Sequence, residues 1–259
     1  MKPLIEANPW QQLKHFTQAR IALGRTGNSL PTQALLEFGV AHAQARDAVH
    51  TPLDREALLQ QLHIAGFATL SVHSAATDRH QYLRRPDYGR SLSPDSDTLL
   101  RAQADEMYDV VFVIGDGLSA FAPMQHAVPL LQAIHPLLKE WRIGPIVVAE
   151  QARVALGDAI GELLQAKQLV MLIGERPGLS SPDSLGIYLT HAPRIGRHDA
   201  ERNCISNVRP AGLSYAAAAH KLLYLMRGAQ QLGMSGITLK DESDDTALID
   251  IDDVHPQIG

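Results

Sequence analysis

The string LIGERPGLSSPDS (172–184) sets Glu175 and Arg176 directly after an apolar run and just before a Pro-Gly turn. Open α/β sheets take their ligands outside the carboxyl ends of their strands. A carboxylate at such a strand end is therefore a candidate acceptor for a ligand's N–H or O–H groups. A second candidate lies in VFVIGDGLSA, where Gly115, Gly117 and Ala120 follow another apolar run with G-x-G-x-x-A spacing. That spacing lets a backbone approach a pyrophosphate, and Glu150 at the end of the next run could take a ribose hydroxyl. This constellation would suit a nicotinamide-dinucleotide-binding oxidoreductase built on the Gly115–Gly117 loop. Three details weigh against it. Asp116 would sit among the phosphates, Pro123 interrupts the start of the following helix, and Glu150 lies beyond the usual spacing of about 20 residues.

Other catalytic patterns are incomplete. Ser119 stands in G-L-S-A-F and lacks the second glycine of a nucleophile elbow. The twelve histidines include no H-E-x-x-H, and the one cysteine, Cys204, has no second thiol with which to hold a metal. The stretch from Asp78 to Leu83 begins like D-x-H-x-x-G but ends in leucine. Neither a catalytic residue nor a metal ligand is assigned, so the residues alone point to an α/β ligand-binding chain.

The elements that must position these residues follow from periodicity. From Pro31 to Leu62 the pattern is helical, with Ser29 or Thr32 as the expected cap and Leu35, Phe38, His42, Ala45 and Val49 as one buried stripe. A second helix stops at Gly66. From Phe67 the period changes. FATLSVH, DVVFVIG, PIVVAE, QLVMLIG and GIYLTHA read as buried strands, with helices expected at 125–141, 153–166 and 214–231. Strands alternating with helices predict an α/β fold with a mainly parallel sheet flanked by helices. Right-handed crossovers would bring IGDGLSAF, AEQARV, GERPGLSS and NCISNVRPAGLS to one edge.

Composition narrows the class. The chain has 259 residues, 45% of them hydrophobic, and a formal net charge of −5. The run DESDDTALIDIDD (241–253) carries seven acidic residues and no basic one; without it 23 basic residues face 21 acidic ones. The body has no basic stripe for nucleic acid, and the acidic end is expected to be solvated. No apolar run approaches the roughly 20 residues of a membrane span. The first residues show no apolar signal core, and one cysteine suits a reducing compartment, so a cytoplasmic location is expected.

Specific strings add what periodicity cannot. GRTGNSLPTQALLEF, YLRRPDYGRSL, VVFVIGDGLS, LIGERPGLSSPDSL and NCISNVRPAGLSYAAAA occur in that order. Together they resemble the small (light-chain) subunit of adenosylcobalamin-dependent ethanolamine ammonia-lyase, over about residues 8–236. The resemblance implies a Rossmann-like sheet with a helical N-terminal subdomain. With the change of period at Phe67, it divides the chain into a helical part (1–66) and an α/β cobalamin-binding domain (67–240); the acidic C-terminal tail (241–259) extends past the matched region. It also implies a role: clamping adenosylcobalamin against a large subunit that binds the substrate and carries the catalytic residues. The assembled enzyme converts ethanolamine to acetaldehyde and ammonia, starting from cobalt–carbon homolysis.

Three positions match the family's cofactor contacts: Val154 in ARVALGDAIGE, Glu175 in GERPGL and Cys204 in NCISN. The alternatives are an ion pair of Glu175 with Arg176 or Arg194, and ordinary core positions for Val154 and Cys204. Arg85, Asp87 and Arg90 are read as an intersubunit contact, with a local salt bridge as the alternative. The missing D-x-H-x-x-G implies that the cofactor keeps its own benzimidazole on cobalt. The family further implies higher-order assembly of heterodimers. Some relatives carry a longer N-terminal extension for microcompartment targeting, so location within a bacterial microcompartment stays open beside free cytoplasm.

Overall fold

Uninterrupted β-branched and aliphatic runs form the centre of the molecule, as strands buried on both faces must. The computed structural model describes residues 4–103 and 106–243. Its six strands are β1 (Thr69–His73), β2 (Tyr108–Gly115), β3 (Ile146–Glu150), β4 (Ala166–Gly174), β5 (Leu185–His191) and β6 (Arg202–Val208). They make one sheet in the order β1-β3-β2-β4-β5-β6. The first four positions run parallel, β5 runs antiparallel to β4, and β6 antiparallel to β5. The sheet is thus mostly parallel, and the fold is mixed α/β. The turn after Glu175 reverses the chain directly into β5 instead of leading into a crossover helix.

Among the described residues there are seven α-helices: α1 (Thr32–His50), α2 (Arg55–Ile64), α3 (Arg79–Arg84), α4 (Pro94–Arg101), α5 (Phe121–Ile134), α6 (Leu156–Leu163) and α7 (Tyr215–Leu232). Alternate strand residues feed two separate cores. Phe112, Ile114, Val148, Val170, Leu172, Ile187 and Ile205 pack with α2, α5 and α7. Val111, Val113, Val147, Met171 and Ile173 pack on the other face with Leu100 of α4 and Leu156 and Ile160 of α6. Along β6, Ile205 and Val208 are buried in the first core, whereas Cys204 and Ser206 are exposed. One face of the sheet's last strand is therefore open.

Several expectations need correction. Leu35, Phe38 and His42 are exposed, and α1 instead buries Ala41 and Ala48. Its apolar residues occupy more than one side, so the pattern did not define a single face, and the small alanines turn inward. Neither Ser29 nor Thr32 caps this helix; Pro31 occupies the cap position without a side-chain bond. Pro123 does not delay α5, because it sits in the first turn, where its missing N–H has no intrahelical partner to lose. NCISN is part of strand β6, not of a loop. The start of the acidic run is packed: Lys221 of α7 meets Asp241 at 3.4 Å, and Ser243 is buried. The rest of that run lies outside the described residues. Among the described residues, no helix is long and apolar enough to cross a membrane.

Candidate functional site

The loops after β2, β3, β4 and β6 meet at one sheet edge. Asp116, just past β2, is buried and accepts from the backbone N–H groups of Gln151 (3.0 Å) and Ala152 (2.8 Å) beyond β3. Arg79 of α3 completes this clasp, reaching Asp116 at 3.3 Å, the Gly117 carbonyl at 2.8 Å and the Val49 carbonyl at the end of α1 at 2.7 Å. Burial pushes the Asp116 carboxyl up to about 6, with Arg79 and the backbone donors opposing the shift. Gly117 has φ +56, and a Cβ there would lie 2.2 Å from the Gly174 carbonyl oxygen. Its backbone is pressed against the end of β4, so packing requires a glycine here. Glu150 is held by Arg55 at 3.0 Å, and the Ser119 hydroxyl donates to the Pro182 carbonyl at 2.7 Å. The G-x-G-x-x-A spacing thus has a packing explanation, and nothing here supports the dinucleotide reading.

Glu175 is different. It is half-buried and bonds to neither Arg176 nor Arg194. Its carboxylate accepts from the Ser184 hydroxyl, from the Ser206 hydroxyl at 2.5 Å and from the Asn207 backbone N–H at 3.3 Å. Two steps along β5, from Leu185 to Ile187, are matched by three along β6, from Val208 to Ile205. This bulge turns Ser206 and Asn207 toward Glu175, and Asn207 takes φ +60. Asn207 is in turn gripped by Arg209, whose Nε donates to its side-chain oxygen at 2.9 Å. Arg209 lies 3.6 Å from Asp183, and Asp183 meets the buried His126, whose other nitrogen contacts the Tyr215 hydroxyl at 2.8 Å. The two strings GERPGLSSPDS and NCISNVRPAGLS are fastened together by this chain of contacts.

The sheet register places Cys204 opposite Tyr188, and Tyr188 opposite Met171. Glu175 extends this row beyond Ile173, touching Gly186, where a Cβ would come within 3.1 Å of the Glu175 side chain. Val154 and Tyr188 are half-buried and pack on the same apolar cluster. Glu175 and Cys204 therefore lie on the open side of β5 and β6, and Val154 packs on the apolar cluster that Tyr188 also joins. Burial raises both the Tyr188 hydroxyl and the Cys204 thiol above their ordinary values, so Cys204 is a neutral thiol. One turn beyond Val154, Asp158 forms a bidentate pair with Arg202 at 2.6 and 2.7 Å, both side chains nearly fully buried. That pair ties α6 to β6 and fixes the walls of the open face.

Sequence reasoning missed Ser184, Ser206, Asn207 and Tyr188. The alternation of Cys204 and Ser206 with buried Ile205 was the one signal that could have marked an open strand face. Arg85 pairs locally with Asp87 at 2.6 Å, both well exposed, and stacks over Tyr88. Among the described residues, no group of three ligating side chains could hold a metal ion.

Comparison with known proteins identifies the family. Residues 7–240 match the family model described as ethanolamine ammonia-lyase light chain (EutC). A Pseudomonas fluorescens protein named ethanolamine ammonia-lyase small subunit is 56% identical over 246 residues, covering 93% of this chain and 90% of the relative. Its namesake from Azotobacter vinelandii is 58% identical over 242 residues, covering 92% and 90%. A match spanning nearly the whole chain, including the strings that build the open face, shows that this protein belongs to the ethanolamine ammonia-lyase light-chain family.

Proposed function

We propose that this chain is the small subunit of an adenosylcobalamin-dependent ethanolamine ammonia-lyase and holds the cofactor against the large subunit. The observation that carries this reading is the open β5–β6 face, which carries Cys204 and is headed by the Glu175 carboxylate, without a cationic partner among the described residues. Its donor set fits the group. A corrinoid presents amide N–H donors around a broad apolar ring. Glu175 offers acceptor capacity, while Val154, Cys204 and Tyr188 offer apolar and polarizable surface. When bound, adenosylcobalamin supplies the radical that converts ethanolamine to acetaldehyde and ammonia. This chain's own residues bind, orient and exclude water.

The large subunit is the partner that makes the site complete. Leu36 and Val40 of α1 form a groove with Leu179, which belongs to the loop that carries Glu175. We assign the groove, together with exposed Leu35 and Phe38, to that partner. Arg90 and the Arg85–Asp87 pair form a further part of the contact. Residues 1–66 act as a helical subdomain and 67–240 as the cofactor-binding domain, with a Rossmann-like sheet. Heterodimers assemble further, in the cytoplasm or within a microcompartment.

Co-expression with the large subunit tests the reading. Adenosylcobalamin-dependent acetaldehyde release from ethanolamine is expected only from the mixture, with each subunit alone inactive. A stable complex that neither binds adenosylcobalamin nor releases acetaldehyde would overturn it.

A further inference from the structure

We infer that Ser206, presented by the β6 bulge, is a positioning residue that sets the Glu175 carboxylate for the cofactor's N–H donors. This rests on the reading of Glu175 as a cofactor contact. A carboxylate has about four acceptor sites on its two oxygens. Ser184 and the Asn207 N–H both address Oε2, whereas Ser206 alone addresses Oε1. Among the described residues no arginine or lysine pairs with the group, and one acceptor site on Oε1 stays free. A flexible glutamate side chain would lose rotamer freedom on binding a ligand; here that cost is already met by three neutral donors.

The local backbone is shaped for this contact. The bulge sets Ser206 and Asn207 against the single residue Gly186. Asn207 is a non-glycine residue at φ +60, a left-handed conformation that asparagine tolerates and its neighbours help to hold. Arg209 does so through the Asn207 side chain. Ser206 is exposed, and among the described residues its hydroxyl bonds only to Glu175. Such a hydroxyl adds little to the fold and acts through the group it orients.

The test uses the complex of this chain with the large subunit. Equilibrium dialysis gives the adenosylcobalamin Kd, and thermal unfolding is followed in parallel. Ser206→Ala is expected to weaken binding about tenfold, the scale of one charge-assisted hydrogen bond. Ser206→Thr, which keeps the hydroxyl, should restore affinity, and the Tm should stay unchanged throughout. In a Glu175→Gln background, Ser206→Ala should add less than about twofold, because the two act as one unit. An unchanged Kd in Ser206→Ala, effects that multiply in the double variant, or a fallen Tm without rescue by threonine would overturn the proposal. If Glu175→Gln alone binds normally, the cofactor role of Glu175 fails and the positioning role of Ser206 falls with it.

Discussion

At the scale of single residues, the ends of β2 and β4 show how alike two strand-end motifs look in sequence and how differently they behave. Gly117 is a packing glycine. Gly117→Ala should destabilise the chain by more than about 2 kcal/mol, because the new Cβ meets a backbone oxygen as well as a left-handed φ. Gly66 has φ +85 with nothing near its Cβ position, so Gly66→Ala should cost only about 1–2 kcal/mol; urea unfolding compares the two. Asp116 makes a pH-dependent prediction. Its raised folded-state value, about 6, means the native state holds the proton more tightly than the unfolded chain does. Its stability contribution is therefore fully present below the unfolded carboxylate value and declines as pH rises through about 6. The stability gap between wild type and Asp116→Asn should shrink from pH 4 to pH 7 in urea titrations; a gap that widens would contradict this. The position of Glu175 was legible from its motif. Its donors were not, because Ser206 and Asn207 lie 31 and 32 residues away and reach it only through strand pairing.

At the scale of elements, the strands were legible because runs such as VVFVI and LVMLI have no polar break and need cover on both faces. The direction of β5 was misread, although its ten-residue connection, broken by Pro177, Gly178 and Pro182, is short for a crossover helix and favours reversal. The face of α1 was also misread: apolar residues on several sides leave the inward side to be set by close packing of alanines. The link between α6 and β6 was hidden as well, because Asp158 and Arg202 are 44 residues apart. Asp158→Ala should cost about 3–5 kcal/mol, because it strands the buried Arg202 guanidinium without a counter-charge. Replacing both partners, as Asp158→Leu with Arg202→Met, should cost much less if the pair serves geometry more than stability. Unfolding measurements on the three proteins decide between those costs, and an equally damaging double replacement would contradict the prediction.

At the scale of the whole molecule, α1 leaves several bulky apolar residues in water. Leu36 and Val40 are 64% and 58% exposed on α1, next to Leu179 of the Glu175 loop. Leu36→Asp should leave unfolding of the chain nearly unchanged, since the side chain is already in water, yet weaken co-purification with the large subunit at least about tenfold, as a charge placed in an apolar interface must. Equal recovery of both complexes would remove α1 from the interface. The central claim is that the open β5–β6 face receives the cofactor, and the chain carries its own probe there, because Cys204 is its one cysteine and is exposed. The most direct measurement is iodoacetamide alkylation of Cys204 in the assembled complex, followed by mass spectrometry across an adenosylcobalamin titration. The account predicts an alkylatable thiol in the cofactor-free complex and saturable protection that tracks cofactor binding. Alkylation at the same rate in a complex fully loaded with adenosylcobalamin would contradict it.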